Sequence, residues 1–244
     1  MVGVDSFVQN NFNEYDSKFD SCINAIIYGY KLLEKDQSYS REEIKNTATK
    51  VRGKVAKSVE LEDFLRNDLI VNYIEPYRSF FDLKHYLFQS GVEEFSSNIK
   101  TGILDIKVCS PLLNGDAYFI FECKRFNKKI ADKYITEGVL RFINEQYYPE
   151  TNTPVAGMIS FLESSDDRNE ISASNSYDAI QYLLEKYEND VNLIAELNRY
   201  HINCPNKKEI EEYQFIYKSV HKRVIRNYPI LIAHIVLDYN HLIN

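Results

Sequence analysis

The chain has 244 residues and a formal charge of −7, with ordinary apolar content, abundant tyrosine and no tryptophan. That length suits one large domain with a substantial core, and the negative balance argues against a basic nucleic-acid coat protein while leaving room for local cationic patches. No apolar run approaches a membrane span, no basic-then-apolar signal segment opens the chain, and Cys22, Cys109, Cys123 and Cys204 form no CxxC pair; the expectation is a cytoplasmic protein with buried free thiols, without a zinc site or disulfide framework.

Residues 1–13 are polar and read as a frayed lead-in. From about 15 to 35, Phe19, Cys22, Ile23, Ile26, Ile27, Tyr30 and Leu33 recur at helical spacing. Ser40 with Glu43 three residues on reads as a capping box opening a second helix. Residues 44–59 carry Lys45, Lys50, Arg52, Lys54 and Lys57 and no acid, which is either a solvated helix face or a phosphate-contacting surface. Ser58 caps a third helix whose apolar side is Leu61, Phe64, Leu65, Leu69 and Tyr73. Its first turn holds Glu60, Glu62 and Asp63, where acids suit the helix dipole.

Residues 80–89 read as an irregular first strand and 91–100 as a turn region. Two apolar strands follow, 103–108 and 117–124, joined by the turn residues Ser110-Pro111 and Asn114-Gly115-Asp116. Residues 125–133 are basic again, with Arg125, Lys128, Lys129 and Lys133 against Asp132 alone. A helix over 134–147 has Val139, Leu140, Phe142 and Ile143 on its apolar side, and Glu137 and Arg141 four apart on another face. Pro149 ends it. Residues 154–162 form an apolar strand, expected parallel to its neighbour through a right-handed crossover. The serine-rich stretch 164–176 is the best linker candidate. A long helix over 177–200 and strands over 213–220 and 229–237 complete the chain. Lys218, His221, Lys222, Arg223 and Arg226 make a last basic stretch, in which His221 reads as solvent-facing or phosphate-contacting. His85, His201, His234 and His241 lack metal-ligand spacing, and no phosphate-binding glycine loop is present.

The central hairpin carries the chemistry. Side chains alternate faces along a strand, so Asp105 shares a face with Ile103 and Lys107, and Glu122 and Lys124 share one with Tyr118 and Ile120. Antiparallel pairing would bring Asp105, Glu122 and Lys124 together. Two carboxylates at one point need a cation or a proton between them. Both strands are apolar on both faces, as central strands are, and charge buried there must be paired or bound to metal. A cross-strand ion pair on an ordinary hairpin is the plainer alternative.

Asp105, a gap of sixteen residues, and then Glu122-Cys123-Lys124 resembles the D…(D/E)xK signature of the PD-(D/E)XK nuclease superfamily, with Leu104 where the usual proline would stand. The resemblance implies a restriction-endonuclease-like α/β fold: a mixed central sheet flanked by helices, with an α-β-β-β-α-β core. Over 1–244 as one domain, this divides into an N-terminal helical part (about 1–57), the core (about 58–163), and a C-terminal helix plus β-hairpin addition (about 177–244). It implies Mg²⁺, with Mn²⁺ as a substitute, held by Asp105, Glu122 and the Cys123 backbone carbonyl, and Lys124 as the third catalytic residue. Glu62, Glu137 and Arg141 are accessory candidates, the last two reading equally as an i,i+4 ion pair. Arg125, Lys128, Lys129, Lys222 and Arg223 are candidate nucleic-acid contacts. The implied activity is endonucleolytic hydrolysis of nucleic acid, with DNA the expected substrate, in bacterial restriction or phage defence, alone, as a homodimer or with a partner protein. The alternative is a catalytically silent binding or interaction module on the same fold.

Overall fold

The computed structural model describes residues 4–46, 48–51, 54–58, 61–96, 99–111, 113, 117–149, 151, 153–163, 171–202, 204 and 207–243. Helix α1 spans Val4–Asp36 and α2 spans Arg41–Asn46. Strands β1 (Ala48–Val51) and β2 (Lys54–Ser58) form a separate antiparallel hairpin. Helix α3 (Leu61–Asp68) widens into a π turn over Leu69–Ile74. Then come β3 (Leu87–Ser96), β4 (Ile99–Cys109) and β5 (Tyr118–Phe126). The next helical segment is α4 (Asp132–Tyr134), a π turn (Ile135–Val139) and α5 (Leu140–Ile143). Strand β6 is Val155–Leu162. Helices α6 (Ser176–Lys186) and α7 (Glu188–Val191), strand β7 (Leu193–Arg199), helix α8 (Lys208–Glu211) and strands β8 (Ile216–Lys222) and β9 (Pro229–Asp238) finish the chain.

Seven strands make one mixed sheet in the order β3-β4-β5-β6-β9-β8-β7. The three central strands β5, β6 and β9 run parallel, and antiparallel pairs flank them on both sides. The protein is therefore α/β, and from α3 to β6 its elements follow the order helix, three antiparallel strands, helix, parallel strand. No described helix is long and apolar enough to cross a membrane.

Period-2 alternation divides the core into two layers. On one face Phe119, Phe121 and Cys123 of β5 join Ile159 and Phe161 of β6 and Ala233, Ile235 and Leu237 of β9 beneath the apolar stripe of α1. On the other, Tyr118 and Ile120, Ala156 and Met158, and Ile230 and Ile232 pack under the 132–143 segment and α6. Every residue of β6 is buried, as a strand covered on both faces requires.

Several expectations need correction. Helix α1 begins at Val4, well before residue 15. The 44–59 stretch is a β-hairpin after a short α2; its five basic side chains, the Ser40–Glu43 box, the Ser58 cap and the Asn114-Gly115-Asp116 turn lie outside the described residues, as does 164–170 of the linker. Residues 78–81 are a 3₁₀ turn, and the first strand of the main sheet is Leu87–Ser96, which starts in the last three residues of the expected strand and runs on through the first part of the region expected to turn. The long helix stops where Asn192 takes a left-handed φ of 45°, and Leu193–Arg199 pairs with β8 as an edge strand. The C-terminal addition thus keeps its leading helix as α6, and in place of a hairpin it has three strands that extend the main sheet. Val191, Ile194 and Leu197 sit at helical spacing, but the free edge of β8 offers partners to the backbone groups along one side of the segment, and Asn tolerates the left-handed turn.

Gly157 marks the tightest approach in the sheet: a β-carbon there would lie 2.0 Å from Cδ1 of the neighbouring Phe121 ring. That ring stacks on Phe19 at 5.2 Å and is fully buried, so it has no room to give. Gly157→Ala should lower stability by about 1–3 kcal/mol, read as a fall in the urea midpoint with unchanged slope.

Candidate active site

Asp105 sits where β4 departs from regularity. Backbone pairing of β4 with β5 runs from Cys109↔Tyr118 to Ile106↔Phe121. Ile106 and Val108 pack into the α1 layer, whereas Leu104 joins the opposite layer with Tyr118 and Ile120, so the side-chain alternation breaks at Asp105. On β3 the break is matched by Gly91, φ 65°, between the pairs Ser90↔Ile106 and Val92↔Leu104, a conformation that glycine adopts without a β-carbon penalty. The Cys123 N–H donates to Oδ2 of Asp105 at 2.9 Å. Oδ1 takes the Arg66 guanidinium at 2.6 Å.

Glu122 and Lys124 face the 132–143 layer, as the alternation predicts. Both are buried. Lys124 Nζ lies 2.6 Å from Glu122 Oε1, 3.7 Å from Asp105 Oδ2, 3.8 Å from Glu62 Oε1 and 3.0 Å from the Cys123 carbonyl. Glu62 comes from α3, and its other oxygen accepts the Arg125 N–H at 2.8 Å. Arg141, from α5, donates to Glu122 Oε1 at 2.7 Å. The Tyr147 hydroxyl bonds Glu122 Oε2 at 2.7 Å and also reaches the Ile103 carbonyl. Asp105, Glu122, Lys124, Glu62 and Arg141 are thus brought into one cluster.

Glu137 stays at the rim, half exposed, paired with Lys133 at 3.2 Å and not with Arg141. With Glu62, Lys124, Arg125 and Lys133 it lines a cleft of about 230 Å³. Arg125 is held by the buried Glu163 at 2.5 Å, which also binds Arg41 and Asn127. Lys128, Lys129 and Lys222 are exposed. Arg223 and His221 are not at the surface: Arg223 donates to the Thr153 carbonyl inside the protein, and His221 bonds Ser219 and the Val191 carbonyl. The expected basic stretch fails there because His221 shares the β8 face that Tyr217 buries in the layer under α6 and the 132–143 segment, and Arg223, just past β8, lies over the buried Tyr148 ring.

Arg66, Tyr147 and Glu163 were not expected at the site. Arg66 follows Glu62 by four residues and so shares its helix face, and Glu163 ends the most buried strand, where a charge needs partners; both signals were legible. Tyr147 had none, since it lies beyond α5 in irregular chain.

Burial and the adjoining Asp105 charge push the Glu122 carboxyl up to about 7, despite Lys124 and Arg141. Burial also raises Glu62. Burial opposes the charge on Lys124, yet the three surrounding carboxylates outweigh it and raise its pKa, so it stays an ammonium. Among the described residues no three His, Cys, Asp or Glu side chains are grouped closely enough to share a cation. The oxygens of Asp105, Glu122, Glu62 and Cys123 nevertheless converge on one cation, the Lys124 ammonium, and hard oxygen donors are the set that suits Mg²⁺.

No family model matches this chain, and no curated protein and no solved structure is detectably similar to it.

The raised Glu122 carboxyl makes stability depend on pH. The folded state holds this proton up to about 7, against 4.5 for the free carboxyl, so between those values it binds more protons than the unfolded chain. The contribution of this group to stability should therefore be full below pH 4.5 and be lost as the pH rises through about 7, a change on the order of 3 kcal/mol. Glu122→Gln should match wild type near pH 4.5 and exceed it at pH 8. Urea unfolding of both proteins at pH 4.5, 6 and 8 checks this; a difference that does not change with pH contradicts it.

Proposed function

We propose that this protein is a metal-dependent nuclease of the PD-(D/E)XK type that hydrolyses phosphodiester bonds in nucleic acid, with DNA the expected substrate and restriction or phage defence the expected setting. One observation carries the reading: a permanently charged Lys124 lies within 4 Å of Glu122, Asp105 and Glu62, at the break between two central strands and beside an open cleft.

Asp105, Glu122 and the Cys123 carbonyl are the groups to hold Mg²⁺ or Mn²⁺, which when bound lowers the pKa of a coordinated water and offsets charge on the phosphate. Glu122 releases its proton as a cation enters, so affinity rises with pH up to about 7. Lys124, held as an ammonium, cannot take a proton from water; it stabilises the negative charge that develops on the non-bridging phosphate oxygens. Glu62 reaches the cleft and accepts the proton of the attacking water as its oxygen bonds to phosphorus. One P–O ester bond breaks, and the leaving oxygen is protonated from solvent. Arg66 and Tyr147 orient Asp105 and Glu122, and Lys128 and Lys129 meet the flanking backbone.

A second reading is favoured by the ion pairing at the site. Glu62, Asp105 and Glu122 are each met by Arg66, Lys124 or Arg141, with Arg66 shared by the half-exposed Asp63 at 2.9 Å, and carboxylates already paired need no further cation. It suits a silent binding or interaction module.

Incubation with plasmid, linear and single-stranded DNA and with RNA, in Mg²⁺, in Mn²⁺ and in EDTA, separates the two. The nuclease reading expects cleavage that EDTA abolishes. It also expects Lys124→Ala and Lys124→Met to retain nucleic-acid affinity in Ca²⁺ and to lose about 10²–10³-fold in rate. Failure to cleave any substrate, with no rise in melting temperature on adding Mn²⁺, supports the silent module.

A further inference from the structure

Far from the carboxylate cluster, at the β7–β8 edge of the sheet, lies a cavity of about 540 Å³, within the range of about 300–1,000 Å³ that holds small organic ligands. β5 is third in the sheet order and β7 seventh, so the two sites stand roughly 19 Å apart at ordinary strand spacing. The walls are aromatic and polar: Tyr177, Phe215 and Tyr217, with the guanidinium of Arg199 beside His201 and Asn198. No carboxylate is among the lining residues, on a chain with a net charge of −7.

The aromatic wall is set in advance. The Tyr177 hydroxyl donates to the Leu197 carbonyl at 2.8 Å, and the Tyr217 hydroxyl lies 3.0 Å from Ser176 Oγ. Their rings meet edge to face at 5.3 Å. A ligand ring stacking there would not have to order these side chains first. Arg199 and His201 are exposed, and neither has an ion pair or a side-chain hydrogen bond among the described residues. A guanidinium offers a planar fork of donors that matches a phosphate in two bonds. Helix α6 starts at Ser176, between the lining residues Ser174 and Tyr177.

We propose that this cavity is a second ligand site that takes a nucleoside phosphate, its base against Tyr177 and Phe215 and its phosphate on Arg199. Neither half of the cavity accounts for the other: a bare anion would use Arg199 and leave the rings of Tyr177 and Phe215 uncovered, and an uncharged ring would leave Arg199 without a counter-charge. The inference does not depend on hydrolysis at Glu122.

The test is calorimetric titration of the full-length protein with AMP, GMP, CMP and UMP, beside adenosine and inorganic phosphate. At least one nucleotide should bind with one-to-one stoichiometry, and adenosine and phosphate at least tenfold more weakly. Arg199→Ala and Tyr177→Ala should each weaken binding tenfold or more, with the wild-type melting temperature retained; Arg199→Gln and Tyr177→Leu replace either variant that fails to fold. Glu122→Gln should bind as wild type does. A 5′-phosphorylated oligonucleotide that binds more tightly than its mononucleotide, and is as sensitive to Arg199→Ala, identifies the phosphate source as a nucleic-acid end; equal or weaker binding identifies free nucleotide. The proposal is overturned by no binding at millimolar nucleotide, by equal affinity for adenosine or inorganic phosphate, or by affinity unchanged in the Arg199 and Tyr177 variants. Loss of binding in Glu122→Gln that spares Arg199→Ala would place the nucleotide at the carboxylates and overturn it as well.

Discussion

The Lys124 ammonium stands among carboxylates that could not remain ionised together without it. Glu122 is buried, and its second oxygen lies against the Tyr147 hydroxyl. Asp105 and Glu62 approach from β4 and α3. Charges of one sign repel strongly in a medium of low polarity, and the rise of Glu122 to about 7 shows that Lys124 and Arg141 together offset burial and the Asp105 charge only in part. Removing the ammonium would leave an uncompensated charge in the interior, where breaking a pair is far costlier than never having formed it. The arrangement of α3, β4, β5 and α5 around this point follows from that need for counter-charge.

The sheet supplies the rigidity that such a cluster needs. Strands β5, β6 and β9 run parallel with both faces covered, and their buried alternation locks the register, since a one-residue slip would exchange the two core layers. Glu163, at the end of β6, gathers Arg41, Arg125 and Asn127. Because the Arg125 N–H holds Glu62, the same clamp fixes the direction from which α3 presents its carboxylate. The break at Asp105, where the Cys123 N–H turns to a carboxylate, lies where the charged groups converge.

A buried chain of hydrogen bonds crosses the sheet from the other side. The Val191 carbonyl, His221, Ser219, His234 and the Tyr134 hydroxyl are joined by contacts of 2.6–2.7 Å. Burial holds His221 at about 4 and His234 at about 3, so both are neutral rings at physiological pH. They act as polar spacers that satisfy one another, and they tie the edge of β8 to the segment that carries Arg141. The basic character of residues 218–226 in the sequence therefore has two destinations: Lys222 faces solvent, while His221 and Arg223 serve the interior.

Much of the site was legible in the residue order. An acid on one apolar strand, an acid and a lysine two apart on the next, and a turn between them suffice to specify a cluster, because strand alternation is a local property of the backbone. The stripe of α1, the buried strand β6 and the Glu62 turn of α3 were legible for the same reason. Three outcomes needed the tertiary structure. Leu193–Arg199 became a strand because an open edge of β8 competes with helical spacing for its backbone groups. Tyr147 reached the carboxylates because packing brings the chain beyond α5 over β5, and no local pattern encodes that approach. Arg223 and His221 went inside because the layer that covers them is set by packing across the whole chain. Local chemistry by itself determined which residues bear charge and which way β5 turns them; only the assembled sheet decided that the alternation of β4 breaks at Asp105 and which of those charges meet, since burial and counter-charge are properties of neighbours distant in sequence.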